Sequence, residues 1–496
     1  MQMSADVVIV GLGAAGACAA LEAAANRRSV IIVERFTGGG ATALSGGVVY
    51  AGGGTAQQRA AGVTDTAADM REYLRTEVGD AASDETLREF CDGSVAMLAW
   101  LEGHGVPFEG SLCPDKTSYP SNRHYLYYSG SERSAGGHPA PRGHRAKGRG
   151  TSGRLLYGKL AAAVRRSGVT VLTHTTAVRL VIADGRVTGV ECATLRGAPR
   201  LAHALLYQLS RKPLLYAPKL GRLALRPLLY TERRFSSPLT IRASRGVILA
   251  AGGFGGDRAL LRAHAPGSRG GLPLATAGDD GAGLRLGASA GGAERFLDRV
   301  SVWRFLSPPA AFTRGILVGP DGKRLCDETR YGAALGDAVV RAGGRAWLLV
   351  DAFVVAAARR ELRGPALWFQ RLQGWYLLAT RVTAPTVAGV ASRAGVDPDG
   401  LAATLAEFAA DKPLRTPPYS LIDCSIRPRL FYPAPVLTLG GLATDTHARV
   451  LRSDGTPVPG LYAAGRTAVG LCSHSYVSGL SLADCVFSGR RAGRLE

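Results

Sequence analysis

DVVIVGLGAAGACAALEAAANRRSVIIVE, residues 6–34, is the stretch whose reading decides the fold. A β-branched run, Asp6–Val10, enters Gly11-x-Gly13-x-x-Gly16. An Ala-rich helical stretch follows to about Ala25, and a second apolar strand, Val30–Val33, ends in Glu34. Gly11 permits the sharp strand-to-helix turn, Gly13 lets a pyrophosphate approach the backbone, and Gly16 lets helix and strand pack closely. The helix N-terminus then offers unpaired N–H groups to the phosphates. Glu34, 18 residues after Gly16, is placed to accept hydrogen bonds from a ribose diol. A GxGxxG alone is weak, but between these strands and with the acid in place it predicts a dinucleotide-binding βαβ unit.

Three further stretches decide which dinucleotide. Thr37–Gly54 is a Gly/Ser/Thr loop whose backbone amides and hydroxyls could line the rest of a large cofactor. SRGVILAAGGFGGD (244–257) and GLYAAGRTAVG (460–470) each give an apolar strand ending in small residues. Strand ends recurring at such distances fit one elongated ligand whose site is assembled from remote segments, which favours FAD over NAD.

Composition narrows the class. The 496 residues carry 60 Lys plus Arg against 39 Asp plus Glu, a net charge of +21, with 46% hydrophobic and 20% charged residues. These values describe a globular chain of one to three domains, not a disordered one. The N-terminus lacks a secretory pattern, no apolar stretch reaches membrane-span length, and the eight cysteines form no CxxC pair or zinc-spaced cluster. A cytoplasmic chain with reduced thiols and no metal is expected. Charge concentrates in residues 200–234, with eight basic residues against Glu232, and in 131–154, with six against Glu132. Leu201, Leu205, Leu206 and Leu209 share a helical face that Pro213 is expected to end, and Leu220, Leu223 and Leu228 extend the apolar theme. That mixture suggests a peripheral contact with a membrane surface, the alternative being a solvated basic loop. Nucleic acid is not expected as a partner, since no DNA- or RNA-reading motif accompanies the charge.

The order VGLGAAG, GGGATALSGG, ILAAGGF, LGGLATDTHARVL…GTPVPGLYAAG and GLSLADCVFSGRRAG resembles the fumarate reductase/succinate dehydrogenase flavoprotein family across nearly the whole chain. Its dicarboxylate members place an Arg in an N-R-x-G-G-N motif and a His before a TMGG-type strand; here Tyr476 and Leu437 stand near those places. A site for two carboxylates needs bidentate cations, so such substrates are disfavoured. The sequence is more similar to the 3-ketosteroid dehydrogenase branch, in particular the 3-ketosteroid Δ4-(5α)-dehydrogenases. Thr117–Glu132, Pro141–Gly153, Ser301–Pro309 and Ala464–Cys485 carry that similarity. The Tyr-Pro-Gly-Pro-Gly stretch of the Δ1-dehydrogenases is absent.

The resemblance implies removal of a proton and a hydride from a saturated 3-ketosteroid A ring, giving a C4–C5 double bond, with an unidentified electron acceptor downstream. It implies Tyr476, Ser478 and Tyr331 as catalytic residues. Tyr476 would polarise the ketone, aided by a backbone amide near Gly479–Leu480, and Ser478 would take the proton through Tyr331. The opposite division between Tyr476 and Ser478 is equally consistent with the sequence. Expected at the cofactor are Gly11, Gly13, Ala14, Ala15, Gly16, Glu34, Arg35, Gly40, Ala41, Thr42, Ser45, Gly46 and Gly47. To these are added Val178, Ala251, Gly252, Asp280, Gly465, Arg466, Ser481 and Leu482. Expected at the steroid are Tyr119, Tyr125, Tyr127, Trp303, Phe305, Gly479 and Leu480. His474 is expected to pack near the flavin, and Arg142 and Arg145 to lie either by its phosphates or on the surface.

The fold class expected is α/β. A discontinuous Rossmann-like FAD-binding domain (residues 1–298 and 419–496) would receive a smaller α+β catalytic cap (299–418), with 200–234 as a surface insertion. Three alternatives stay open. They are an enoate or fumarate-type reductase of another apolar carbonyl compound, a Δ1-ketosteroid dehydrogenase, and a non-catalytic flavin-bearing or lipid-binding surface protein that keeps the FAD scaffold.

Overall fold

The computed structural model describes residues 1–216, 218–266 and 270–495. Its first elements, β1 (Gln2–Val10), α1 (Ala14–Ala25) and β2 (Val30–Glu34), form the expected unit. β1 and β2 pair in parallel, from Val7 opposite Val30 to Val10 opposite Val33. Gly11 has φ +104°, and a Cβ there would lie 2.4 Å from the Ala250 carbonyl oxygen, so only glycine fits the turn. A Cβ on Gly16 would stand 2.0 Å from the Gly11 carbonyl oxygen, which is the close helix–strand contact that the spacing requires.

β3 (Thr170–Thr173) extends the sheet beyond β2, again in parallel. β4 (Thr175–Ala183) and β5 (Arg186–Thr194) form an antiparallel hairpin through Asp184 and Gly185, both with positive φ. Two helices follow, α2 (Gly197–Tyr216) and α3 (Pro218–Phe235), before β6 (Ser237–Leu249) returns to pair with β1 and β5.

The helical hairpin departs from the expectation in two ways. Pro213 lies inside α2 instead of ending it, and α3 contains Pro227. The two helices approach so closely that a Cβ on Gly221 would be 2.2 Å from the Leu214 Cα, and this packing outweighs the lost hydrogen bond at each proline. The leucines also divide. Leu201, Leu205 and Leu209 are exposed, as are Leu220 and Leu223, whereas Leu228 is fully buried and Leu206 packs beside it against Phe36 and Tyr207. Residue 217 of the segment, and the side chains of 212, 215, 216, 218 and 219, lie outside the described residues.

A second sheet forms from β7 (Ile316–Val318), β8 (Trp347–Val350), β9 (Val382–Ala384) and β10 (Tyr419–Asp423), antiparallel in the order β7–β8–β10–β9. It has its own buried cluster, which includes Phe312, Trp347, Leu348, Val390, Leu421 and Tyr432. Helix α4 (Trp368–Ala379) precedes β9. The Cys326–Glu328 run lies between β7 and β8, outside any strand. It sits in a turn, where buried Glu328 accepts the Leu317 N–H at 2.8 Å and pairs with Arg324 at 2.7 Å and Lys412 at 3.1 Å.

The chain then returns to the first sheet. β11 (Arg449–Leu451) and β12 (Pro457–Ala463) pair antiparallel, and β12 lies parallel to β6. The parallel order is thus β12–β6–β1–β2–β3. Neighbours leave β1 to opposite sides, so a topological switch point falls at the end of β1, where sheets of this kind open a ligand crevice. The last helix, α5 (Leu480–Arg494), lies against α1 along small residues: Cβ atoms on Gly489 and Gly493 would each fall 2.4 Å from α1 carbonyl oxygens, those of Ala15 and Ala19.

Candidate active site

A crevice of about 1070 Å³ runs along the C-terminal ends of β1, β2, β6 and β12. Single small-molecule sites usually span roughly 300–1,000 Å³, so the crevice matches the upper end of that range. Gly11, Gly13, Ala14, Ala15, Glu34, Arg35 and Val178 line it at one end. Gly40, Ala41, Thr42, Ser45, Gly46, Gly47, Ala251, Gly252, Asp280, Arg466, Ser481 and Leu482 continue the wall. Two predicted cofactor residues do not reach it. Gly16 lies beneath the β1–α1 turn, and Gly465, at φ +60°, packs against Ala15, where a Cβ would be 2.8 Å from the Ala15 Cβ.

The donor chemistry suits a dinucleotide. α1 and α5 both begin at the crevice, so two helix N-termini favour negative charge there. Glu34 accepts the N–H groups of Leu12 and Phe36 at 2.8 Å each, and a carboxylate holding two bonds keeps acceptor capacity for a diol. Burial pushes the Glu34 carboxyl above its ordinary value, an effect that the backbone N–H groups oppose. The arginines along the crevice are already partnered: Arg35 with Glu232 and Asp280, Arg179 with Glu191, Arg285 with Asp257, Arg466 with Asp279. Arg35 and Asp280 therefore line the wall as members of an ion-pair network that includes Glu232.

At the far end, Tyr476, Ser478 and Gly479 come from the loop that leads into α5, and Tyr331 from the segment after β7. The loop is pinned from several sides. Gly479, at φ +88°, gives its carbonyl to the Tyr50 N–H at 3.1 Å, and Ser129 Oγ donates to the Ser478 carbonyl at 3.0 Å. Tyr331 is fixed through its N–H, which donates to Ser131 Oγ at 3.0 Å. The rings of Tyr331 and Tyr476 lie 6.2 Å apart, Trp303 lies 4.6 Å from Tyr476, and Phe305 5.8 Å from Tyr331. Burial pushes both phenols above the ordinary tyrosine range, and a hydrogen bond with Ser478 opposes that rise at Tyr331. Both phenols stay protonated and able to donate at neutral pH.

Of the predicted steroid-side residues, Tyr119, Trp303, Phe305 and Gly479 line the crevice. Tyr127 lies behind it, fully buried, with its hydroxyl 3.3 Å from Ser478 Oγ. Tyr125 packs under the Arg145 guanidinium, which lies 5.0 Å from its ring centre. The side chain of Leu480 enters the core and its amide donates to the Val477 carbonyl at 3.1 Å, so Leu480 does not line the crevice while Gly479 does.

Three basic side chains also stand elsewhere than expected. Arg142 and Arg145 are fully buried, neither on the surface nor along the crevice. Arg142 makes a two-pronged contact with Asp65 at 2.7 and 3.1 Å, and Arg145 holds the carbonyls of Ser121 and Gly148 at 2.7 Å each. His474 is half-exposed and pairs at 3.2 Å with Asp80, which is itself bound by Arg299. No group of three or more potential metal ligands occurs among the described residues.

The crevice also recruits residues that carry no motif. Phe369 and Gln370 come from α4, where Gln370 Nε2 donates to the Tyr119 carbonyl at 3.0 Å, and Tyr207 comes from α2. A helix that contributes only a few side chains to a distant cavity leaves no periodic signal of having done so.

Comparison with known proteins accords with this geometry. The model of the FAD binding domain family matches residues 6–479. A 3-oxo-5-alpha-steroid 4-dehydrogenase from Comamonas testosteroni is 36% identical over 495 residues, covering 93% of this chain and 92% of the relative. The crystal structure of a 3-ketosteroid-delta4-(5alpha)-dehydrogenase from Rhodococcus jostii RHA1, in complex with 4-androstene-3,17-dione, superposes with a TM-score of 0.81 at 29% identity. That alignment covers 99% of this chain and 96% of that one. A flavocytochrome c3 fumarate reductase shares the fold, with a TM-score of 0.64 at 21% identity over 99% of this chain and 78% of its own. The chain therefore belongs to the FAD-binding flavoprotein family that includes the fumarate reductases, in its 3-ketosteroid dehydrogenase branch, and its cofactor is FAD.

Proposed function

We propose that this protein dehydrogenates saturated 3-ketosteroids at C4–C5. One observation carries the reading. Tyr476, Ser478 and Tyr331 meet in a slot walled by Trp303, Phe305 and Leu437, while every arginine along the crevice is held by a carboxylate. A flat apolar ketone fits such a slot, and a diacid finds no free bidentate cation.

Tyr476 donates to the C3 oxygen, where negative charge develops as the C4 proton leaves, and the Gly479 amide supports it. Ser478 Oγ takes that proton while its own passes to Tyr331, whose phenolic proton leaves in turn for water, so neither a phenolate nor an alkoxide persists. Tyr127, 3.3 Å from Ser478 Oγ, orients the hydroxyl. The C4–H electron pair enters the enolate, and loss of a hydride from C5 leaves the C4–C5 double bond. Bound FAD supplies the two-electron acceptor for that hydride. On this reading residues 1–298 and 419–496 hold the cofactor, and 299–418 form the cap that brings Tyr331, Trp303 and Phe305 over it.

Anaerobic mixing of the purified yellow protein with a saturated 5α-3-ketosteroid tests the proposal. Bleaching of the flavin is expected. A flavin that stays oxidised with ketosteroids but is reoxidised, once reduced, by another enone would favour the reductase alternative.

The exposed stripe Leu201, Leu205 and Leu209, with Leu220 and Leu223 on the partner helix and arginines interleaved, supports peripheral contact with an anionic bilayer, where steroids partition. No helix among the described residues is long and apolar enough to cross a membrane. Co-flotation with phosphatidylglycerol vesicles, lost when the three α2 leucines become serine, is expected. Parent protein that never floats removes this part of the proposal.

A further inference from the structure

The basic hairpin has an inner face as well as an outer one, and the inner face belongs to the crevice. His203 and Tyr207 lie four residues apart on α2, on the side opposite Leu201, Leu205 and Leu209. Both rings lie nearly parallel to that of Phe36, Tyr207 at 4.2 Å and 6° and His203 at 5.7 Å and 4°. Phe36 stands two residues beyond Glu34, so this aromatic column rises beside the carboxylate that marks the ribose. Tyr207 is 3% exposed yet lines the same crevice as Glu34 and Val178. Burial, then the nearby Glu34 charge, pushes its phenol up to about 12.

An ionic network holds the column in place. Arg35 grips Glu232 of α3 with two bonds of 2.8 Å and Asp280 with a third of 2.7 Å. Glu232 also meets His203 Nε2 at 3.0 Å, and His203 Nδ1 meets His174 Nδ1 at 2.8 Å. Against its burial, the bonds from Arg35 and His203 hold the Glu232 carboxyl down at about 2. Residues adjacent to the ribose acid therefore anchor both helices of the insertion.

We propose that the α2–α3 hairpin is an adenosine clamp. Tyr207, backed by Phe36, forms the aromatic wall of the adenine subsite, and the Arg35–Glu232–His203 network sets its position. The ligand class is the adenosine half of a dinucleotide, recognised by apolar contact with the base and independent of the redox-active half. The clamp rests on FAD being the cofactor, and it adds a binding role to a segment whose composition indicates only a surface.

The test is equilibrium binding to deflavinated protein, followed by quenching of flavin fluorescence, with FAD and FMN as separate probes. Loss of an aromatic contact to a base costs roughly 1–3 kcal/mol, so Tyr207→Ala should weaken FAD by about tenfold or more. FMN, which has no adenosine, should bind parent and variant alike. Tyr207→Phe keeps the ring and should remain within about twofold of the parent. If Tyr207→Ala does not fold, as judged by near-UV circular dichroism, Tyr207→Leu fills the volume without the ring and carries the same expectation. Where FMN binds the parent too weakly to measure, ADP displacement of FAD reads the same half of the site and should weaken about tenfold in the variant. Equal loss of FAD and FMN affinity, or an unchanged FAD affinity, overturns the clamp. Parent protein that binds no FAD overturns instead the cofactor assignment beneath it.

Discussion

Replacing Tyr476 with phenylalanine removes one oxygen from the reacting end of the crevice and little else. The ring is held by Trp303 at 4.6 Å and Tyr331 at 6.2 Å, contacts that phenylalanine reproduces, so the slot keeps its shape. What disappears is a donor to an oxygen that gains charge only as the C4 proton departs. A single donor of this kind, in a site shielded from water, is worth about 10²–10³ in rate, or ~3–4 kcal/mol. The loss belongs to the transition state, so kcat should fall by that factor while KM moves by less than about threefold. Burial raises the phenol above its ordinary value, so the parent keeps the donor into alkaline solution and the ratio of parent to variant should be the same at pH 7 and pH 9. Single-turnover flavin reduction under anaerobic conditions, with the absorption spectrum confirming bound FAD, measures it. Reduction within about threefold of the parent would refute the role of Tyr476 as ketone donor. A rise in KM with kcat unchanged would reduce it to a binding contact.

Ser478→Ala should stop exchange of the C4 hydrogens with deuterated solvent, and Tyr127→Phe should slow it by about tenfold or less by loosening the serine hydroxyl; exchange at the parent rate in Ser478→Ala would transfer the base to Tyr476. Asp484, buried in α5 beneath the same loop, has its carboxyl pushed up to about 7 by burial. Because the folded value exceeds the unfolded one, the native state holds a proton that the unfolded chain has released, and stability should fall as pH rises from about 4 to about 7. Asp484→Asn should remove on the order of 2–4 kcal/mol of that fall, seen as flatter denaturant midpoints against pH; parallel curves for parent and variant would contradict it. Asp65→Ala strands the fully buried Arg142 guanidinium and should cost about 3–5 kcal/mol in urea unfolding, whereas a role for Arg142 at the phosphates would appear instead as weakened FAD binding.

How much of this was legible in the chain differs by region. The βαβ unit was readable to within a residue at α1 and β2, since its strand, turn and helix signals all fall within 29 positions and answer to local sterics. The tyrosine–serine pair before α5 was legible by resemblance, because two residues in one loop keep their spacing in any fold. Most residues picked out by motif spacing line the crevice, whereas Gly16 and Gly465 stand behind it in close packing contacts.

Other features are set by contacts between segments far apart. Arg142, Arg145 and His474 stand in motif-rich stretches, yet each is claimed by a partner that sequence spacing does not indicate: Asp65, a set of loop carbonyls and Asp80. Two prolines stay helical because Gly221 lets α2 and α3 close on each other. The same basic, leucine-rich composition serves opposite faces of one hairpin, with Leu205 exposed to solvent and Tyr207 lining the crevice with Glu34. Local sequence determined the nucleotide-binding turn and the chemistry available beside it. Only tertiary structure decided which side chains face the crevice, because facing depends on what a neighbouring element, hundreds of residues away, places against the other side.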